Sequence, residues 1–325
     1  MADLKRIALL TSGGDSPGMN ACIRAAVRTA ISKGMEVFGI QNGYEGLISG
    51  GLSQLNLRSV SNIIQKGGTF LKSSRCESFY QREGRKLAAQ ALIKHEIDGL
   101  IVIGGDGSFR GAHAMCSEHV IRVVGVPGTI DNDIFGTDAT IGYNTAVNTA
   151  LESIDKIRDT AASHDRLFIV EVMGRDAGFI ALEVGICGGA EEILVPETKR
   201  ELRDLNELIK VWSKKGKTSS LIVVSEGDEL GNGHDIAKKL YEDYKIKSHV
   251  CVLGHTQRGG SPNASDRLLA SRLGYHAVLA LLKGKSDIMV GWLNNEVSYV
   301  NLSDTWNKKK PLDDELLKIY RILSI

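Results

Sequence analysis

The chain has 325 residues, 42% hydrophobic and 24% charged, with a formal net charge of +1. This is enough apolar material for one large or two medium α/β domains with full cores. The near-neutral balance gives no nucleic-acid footprint, and no apolar segment reaches membrane-spanning length. The first apolar run begins at Ile7 and stops at Thr11, so no secretory leader is expected. Five cysteines (Cys22, Cys76, Cys116, Cys187 and Cys251) are scattered without a C-x-x-C pair. That pattern fits reduced thiols in a cytoplasmic protein better than a disulfide framework or a zinc site. Four of them lie in apolar stretches and read as small core residues, with Cys76 the exception.

Strand and helix patterns alternate along the chain. An apolar strand over 7–10 runs into Thr11-Ser12-Gly13-Gly14-Asp15, and a helix over 20–33 follows, closed by Gly34. Ile23, Val27 and Ile31 form its buried stripe, while Arg24 and Arg28 share another face that spacing alone reads as solvated. A strand over 37–40 precedes a loop over 43–51, and an amphipathic helix spans 84–95. The buried strand 100–103 enters Gly104-Gly105-Asp106-Gly107-Ser108, with a helix over 109–119 behind it. The strand 121–126 ends at the turn signal Pro127-Gly128, and a long helix covers 141–158. Further strands are expected at 167–172, 193–195, 221–224, 250–253, 288–290 and 297–300. Helices are expected at 177–187, 201–214, 236–244, 265–282 and 312–323. This alternation predicts a mainly parallel sheet with helices on both faces.

Three of the early strands run into glycine- and acid-rich loops. Glycine lets backbone N–H groups approach phosphate oxygens, and Asp106 between glycines is placed to hold Mg²⁺ on those phosphates. In Gly128-Thr129-Ile130-Asp131-Asn132-Asp133, two carboxylates two residues apart suit proton abstraction plus metal or charge management. Taken alone, that loop reads equally well as a turn cluster, because Asp and Asn favour turns. Three such loops together fit a polyphosphate site better than chance turns. No G-x-G-x-x-G follows the first strand, so a dinucleotide-binding dehydrogenase has little support.

The stretch 11–20 (Thr-Ser-Gly-Gly-Asp-Ser-Pro-Gly-Met-Asn), the loops at 104–108 and 127–133, Met173-Gly174-Arg175 and the stretch 253–262 (Leu-Gly-His-Thr-Gln-Arg-Gly-Gly-Ser-Pro) together resemble bacterial ATP-dependent 6-phosphofructokinase, in order and over nearly the whole chain. The resemblance implies an α/β fold of two Rossmann-like doubly wound domains. Residues 1–141 plus 257–303 would bind ATP, and residues 142–256 plus 304–325 would bind fructose 6-phosphate. It implies phosphorylation of the sugar's 1-hydroxyl by ATP with Mg²⁺, a committed and allosterically regulated step of glycolysis.

Carried over residue by residue, the resemblance makes Asp131 the base and puts Thr129 and Arg175 on the transferring phosphoryl group. Gly14, Arg75, Cys76, Gly105, Asp106, Gly107 and Ser108 would bind ATP, with Asp106 and Asp133 on the metal. Thr129, Ile130, Asp131, Met173, Gly174, Arg175, Glu226, His255, Thr256, Gln257 and Arg258 would meet the sugar phosphate. Arg166 and the residue at 249 would reach it from a neighbouring subunit of a homotetramer. At 249 this chain has histidine where the family usually has arginine, and histidine holds phosphate as a cation only when protonated.

An effector site for ADP or phosphoenolpyruvate would use Arg24, Arg28, Arg158, Gly189, Glu191, Lys215 and Lys217. Leu57 and the pair Thr218-Ser219 depart from its pattern, which leaves altered or absent regulation open. Pyrophosphate users of the family carry Asp where this chain has Gly107 and Lys where it has Gly128, so the chain resembles the ATP users. A pyrophosphate-dependent enzyme and a catalytically silent nucleotide sensor are the competing readings. Asp131, Asp106 and Arg175 count against silence.

Overall fold

The computed structural model describes residues 4–163, 166–217 and 219–324, so Thr218 lies outside the described residues. The elements in chain order are β1 (Arg6–Thr11), α1 (Met19–Ser32), β2 (Glu36–Ile40), α2 (Gly43–Ile48), β3 (Leu52–Leu55), α3 (Arg82–Lys94), β4 (Gly99–Gly104), α4 (Asp106–Glu118), β5 (Arg122–Pro127), α5 (Tyr143–Ala162), β6 (Leu167–Val172), α6 (Phe179–Cys187), β7 (Glu192–Leu194), α7 (Leu202–Lys214), β8 (Ser220–Ser225), α8 (Gly233–Tyr244), β9 (His249–Val252), α9 (Ala264–Leu282), β10 (Ile288–Leu293), β11 (Glu296–Asn301), α10 (Asp304–Asn307) and α11 (Asp314–Leu323). They form two compact units. The first is the chain through Ile130 with Ile134–Thr145 and Arg258–Lys310; the second is Asp131–Asp133, Ala146–Gln257 and the chain from Pro311 on.

The first unit is built on a seven-stranded sheet in the order β11-β10-β5-β4-β1-β2-β3. Strands β10, β5, β4, β1 and β2 run parallel, with β11 and β3 antiparallel at the two edges. All six residues of β4 are buried, as expected of a parallel strand covered on both faces. Side-chain alternation divides the core. Ile101, Ile103, Val124 and Val126 pack with α1 and α9, whereas Leu100, Val102 and Val123 pack with α2, α3 and α4 on the other face. The chain leaves β1 toward β2, then crosses to the other side of β1 to enter β4. Strand order therefore reverses between β1 and β4, where open α/β sheets bind ligands.

The second unit has a four-stranded, all-parallel sheet in the order β7-β8-β6-β9. Its strand order also reverses at β6, with β7 and β8 on one side and β9 on the other. Leu205, Trp212, Ile236 and Leu240 of α7 and α8 cover one face.

Three readings of the sequence change here. Residues 43–51, expected as a loop, contain α2 and lead into β3. Two glycines weaken the helical signal there, but Tyr44 and Leu47 are buried and fix the turn of helix. Helix α4 starts at Asp106 rather than at 109, so Asp106, Gly107 and Ser108 form its first turn. Of the cysteines expected in the core, only Cys22 is fully buried, while Cys187, the last residue of α6, is exposed. An apolar neighbourhood in sequence does not say which side of a helix faces the core.

Helices α1 and α9 pack closely because residue 274 has no side chain. A Cβ on Gly274 would lie 2.6 Å from the Cys22 carbonyl oxygen and 3.1 Å from the Ala25 Cβ. Backbone cannot swing aside, so Gly274→Ala must force the helices apart. The expected cost is about 1–3 kcal/mol, the usual range for overpacking, read by chemical denaturation. A variant as stable as the parent would mean that the two helices separate freely.

Candidate active site

In the first unit, the parallel register brings the carboxyl ends of β1, β4 and β5 side by side, with Thr11 opposite Ile103 and Gly104 opposite Pro127. The ladder continues past the strand ends. Ser12 N donates to Ile103 O at 3.0 Å and Gly128 N to Gly104 O at 3.0 Å. The approach is so close that a Cβ on Gly104 would lie 2.5 Å from Ser12 O and 2.6 Å from Ser108 Oγ. Three loops are thereby fastened next to one another.

Helix α4 opens directly into this corner. Gly105 is extended before it, and Asp106, Gly107 and Ser108 occupy its first turn. The first N–H groups of a helix have no partner within it and carry its positive dipole end, a ready anion site. Tyr44 Oη donates to Ser108 O at 2.6 Å, and its ring stacks on Phe79 with centroids 3.8 Å apart. Burial pushes the Tyr44 phenol's pKa up, so it remains a donor. Asp106 is one-third exposed (33%), and its carboxylate lies 3.9 Å from Arg110 Nε.

Thr11 Oγ1 donates to Lys72 O at 2.7 Å and Ser73 Oγ to Gly13 O at 2.5 Å. The segment carrying Arg75 and Cys76 is thereby held beside the first loop. The Arg258 guanidinium lies over Gly14, where an added Cβ would be 2.8 Å from Nη1. Arg258, expected at the sugar phosphate, belongs to the first unit and lies beside the loop after β1.

The loop between β5 and α5 carries Thr129, Ile130, Asp131, Asn132 and Asp133. Its base is closed by Ile141 N donating to Pro127 O at 2.9 Å and by Thr140 Oγ1 donating to Thr129 O at 2.6 Å. Asp131 is 4% exposed, and Asn132 adopts a left-handed φ of 56°.

The second unit gathers another group at the carboxyl ends of β6, β8 and β9. Glu226 N donates to Val172 O at 3.0 Å, and Leu253 N to Glu171 O at 3.0 Å, again extending the ladder. One Glu226 carboxylate oxygen accepts from Arg175 N at 2.8 Å and Gly174 N at 3.3 Å. It steadies Arg175 in a left-handed conformation, φ 53°. Gln257, fully buried, accepts from Met173 N at 2.9 Å, and Thr256 Oγ1 donates to Leu253 O at 2.6 Å. Met173, Gly174, Arg175, Glu226, Thr256 and Gln257 thus share one corner, with His255 exposed beside them.

Arg166 and His249 stand elsewhere in this unit. Arg166 immediately precedes β6, and His249 opens β9 opposite Phe168, ring centroids 5.3 Å apart. Both are at the amino ends of their strands. A six-residue strand spans about 20 Å, so within one chain they are not brought to the Glu226 corner.

The effector candidates divide between the units. Arg158, Gly189, Glu191 and Lys217 come together: Arg158 Nε donates to Gly188 O at 2.5 Å, and its Nη2 donates to Gly189 O and lies 3.7 Å from Glu191. Lys217 Nζ is 2.9 Å from Glu191 Oε1, while Glu191 Oε2 accepts from Leu221 N at 2.5 Å. Lys215 is exposed at the end of α7. Arg24 and Arg28 belong to α1 in the first unit.

The sequence gives Thr140 and Asp266 no role, and marks Gly104 only as part of the loop 104–108. No single-residue signal marks Thr140 or Gly104, because their roles depend on which backbone lies across from them. Asp266 had a signal, the N-x-x-D pattern at a helix start.

The two loop corners, each beside a reversal of strand order, define a doubly wound α/β protein with ligand sites at its strand ends. Over residues 6–281 the sequence matches the Phosphofructokinase family profile, and the chain belongs to the phosphofructokinase family. It is 52% identical over 322 residues to ATP-dependent 6-phosphofructokinase 1 of Thermus thermophilus, covering 99% of this chain and 100% of that one. It is likewise 52% identical over 324 residues to ATP-dependent 6-phosphofructokinase of Staphylococcus carnosus, covering 99% and 100%. The phosphofructokinase structure from Saccharomyces cerevisiae superimposes with a TM-score of 0.85 at 38% identity, covering 98% of this chain; this chain spans 46% of that one. A pyrophosphate-dependent phosphofructokinase structure from Marinobacter aquaeolei gives a TM-score of 0.82 at 25% identity, covering 96% of this chain and 86% of that one.

The Glu191 cluster yields a test of its structural role. Glu191→Ala leaves Leu221 N without its carboxylate and two cations without theirs. The expected loss is about 1–3 kcal/mol, measured by urea unfolding. Unchanged stability would show that water replaces the carboxylate at no cost.

Proposed function

We infer that the chain carries out the reaction its relatives are named for. It transfers a phosphoryl group from ATP to fructose 6-phosphate, giving fructose 1,6-bisphosphate and ADP, the phosphofructokinase step of glycolysis. The observation that carries the donor half of this reading is the open first turn of α4, with Asp106, Gly107 and Ser108 at the reversal of strand order.

Phosphoryl transfer needs positioning and charge stabilisation more than covalent steps. In our reading the first unit takes ATP. Gly14, Gly105, Gly107 and Ser108 present backbone N–H groups to the phosphates, and Arg75 and Cys76 meet the rest of the nucleotide. Among the described residues no three His, Cys, Asp or Glu side chains cluster as a metal cage. Mg²⁺ on a nucleotide asks for only one or two carboxylates, since phosphates and water complete its shell, and the accessible Asp106 fits that demand. When bound, the ion neutralises charge between the phosphates; Asp106, with Asp133 through water, would hold it.

The second unit, in the same reading, takes the sugar phosphate through Met173, Gly174, Glu226, His255, Thr256 and Gln257, and Arg258 is proposed for the same ligand. Asp131 accepts the proton of the 1-hydroxyl, while Thr129 and Arg175 steady the transferring group. Arg166 and His249, at the amino ends of β6 and β9, serve the sugar phosphate of a neighbouring copy. Their separation from the Glu226 corner supports an assembly with shared sites, for which we propose a homotetramer. Arg158, Gly189, Glu191, Lys215 and Lys217 are proposed to bind ADP or phosphoenolpyruvate, and Arg24 and Arg28 are proposed for the same ligand. No helix of the described residues is long and apolar enough to cross a membrane, in keeping with a cytoplasmic enzyme.

The donor is tested by assaying purified protein with fructose 6-phosphate, Mg²⁺ and either ATP or pyrophosphate. Turnover with ATP alone is expected; turnover with pyrophosphate alone would reverse the donor assignment, and none with either would support a silent sensor. A Cβ on Gly107 would meet nothing within 4 Å, so Gly107→Asp fits without distorting the fold. Its carboxylate would stand beside the nucleotide phosphates, and the KM for ATP is expected to rise at least tenfold. Unchanged ATP kinetics would show that residue 107 does not face them. Asp131→Ser is expected to lower kcat by about 10²–10⁴, the usual worth of a general base; a variant with near-parent kcat removes Asp131 from that role.

A further inference from the structure

Two helices of this chain begin with the same pattern, Asn-x-x-Asp, and the two aspartates do different things. At α8 the pattern closes on itself. The Asn232 side chain accepts from Asp235 N at 3.0 Å, and Asn232 N donates back to Asp235 Oδ2 at 3.2 Å. This is the reciprocal capping box expected of the motif. At α9 only half of it forms: the Asn263 side chain accepts from Asp266 N at 2.9 Å, but Asn263 N donates instead to Thr145 Oγ1 at 3.0 Å. The Asp266 carboxylate turns away from its own helix to the start of α5. Oδ1 accepts from Gly142 N at 2.8 Å, and Oδ2 accepts from Thr145 N at 2.7 Å and Thr145 Oγ1 at 2.5 Å. Asp266 is 0% exposed.

The need for this borrowed cap lies in residue 142. A helix start is normally capped by the side chain of the residue before it. Before α5 that residue is glycine, with φ 104°, and an added Cβ would lie 2.6 Å from the Ser16 Cβ. No Ser, Thr or Asp fits there, so the capping oxygens come from α9. Gly142 is also the exit of the loop whose base is tied by Ile141 N to Pro127 O and by Thr140 Oγ1 to Thr129 O. The carboxylate therefore fixes the point where that loop enters α5.

We propose that Asp266 is a positioning residue for phosphoryl transfer, holding the loop that carries Thr129 and Asp131 through its bonds to Gly142 and Thr145. This rests on the assignment of Asp131 as the base. Small displacements of a reacting group cost rate steeply, about 10²-fold for 1 Å, so the effect falls on kcat rather than on substrate binding.

The test compares four variants of the full chain by kcat, KM, thermal unfolding and hydrogen exchange. Asp266→Asn keeps the size of the side chain but turns one acceptor into a donor facing donors. Expected are a kcat reduced about 10- to 100-fold, both KM values within about threefold, and faster exchange in peptides covering 134–145. Thr145→Val, which keeps the carboxylate and its two amide bonds, guards against misfolding of the first variant and is expected to lower kcat about threefold or more. Asp98→Asn serves as the structural control. Asp98 accepts from Lys5 N at 2.7 Å and Arg6 N at 2.9 Å, remote in sequence from the loop, and its loss is expected to reduce stability with kcat unchanged. Parent kcat in folded Asp266→Asn, or in Thr145→Val where the first variant does not fold, overturns the proposal and leaves a purely structural cap. Asp131→Ser is run alongside. If it too keeps the parent kcat, the base assignment falls and this inference with it; if it alone collapses, only the inference about Asp266 falls.

Discussion

Two backbone hydrogen bonds set the chemistry of the first unit: Ser12 N to Ile103 O and Gly128 N to Gly104 O, each 3.0 Å. They carry the parallel ladder one step beyond the strands, so the loops after β1, β4 and β5 leave the sheet in contact instead of splaying. Everything polar in that corner depends on the resulting closeness. The absence of a side chain at Gly104 permits it, since a Cβ there would sit 2.5 Å from Ser12 O. A corner made of backbone donors is already arranged before any ligand arrives, and such preorganisation is worth most in a site that must stabilise spread negative charge.

The second unit repeats the device with different chemistry. Glu226 N to Val172 O and Leu253 N to Glu171 O extend its ladder in the same way. Here side chains, not helix amides, then orient the loops: the Glu226 carboxylate takes the Gly174 and Arg175 amides, and the buried Gln257 takes that of Met173. Arg175, in a left-handed conformation that non-glycine residues enter at a cost, is held there by those bonds. The two sheets differ in size and strand order, and they differ too in which groups project from the strand ends.

Much of this was legible in the sequence because strands with continuous apolar runs, such as 100–103 and 121–126, announce burial on both faces, and glycine-acid loops after them announce where the strands end. The loop at 104–108 is legible that way, although the place of Asp106, Gly107 and Ser108 in the first turn of α4 is not, because the flanking glycines disguise a helix start. The strand order was not legible, since nothing local tells β4 to pair with β1 rather than β3. For the same reason the closeness of Arg258 to Gly14 could not be read. Asp266 shows the limit most clearly: its local motif is identical to that at Asp235, and only the fold reveals that one carboxylate caps its own helix and the other a distant one.

The central claim is that the start of α4, packed against the loop after β1, is where the nucleotide phosphates sit. A crystal structure with Mg²⁺ and a non-hydrolysable ATP analogue tests it most directly. The account predicts phosphate oxygens within hydrogen-bonding distance of the backbone amides between Gly105 and Ser108, with the Asp106 carboxylate toward the metal. Phosphates bound elsewhere, with those amides facing only water, would contradict it.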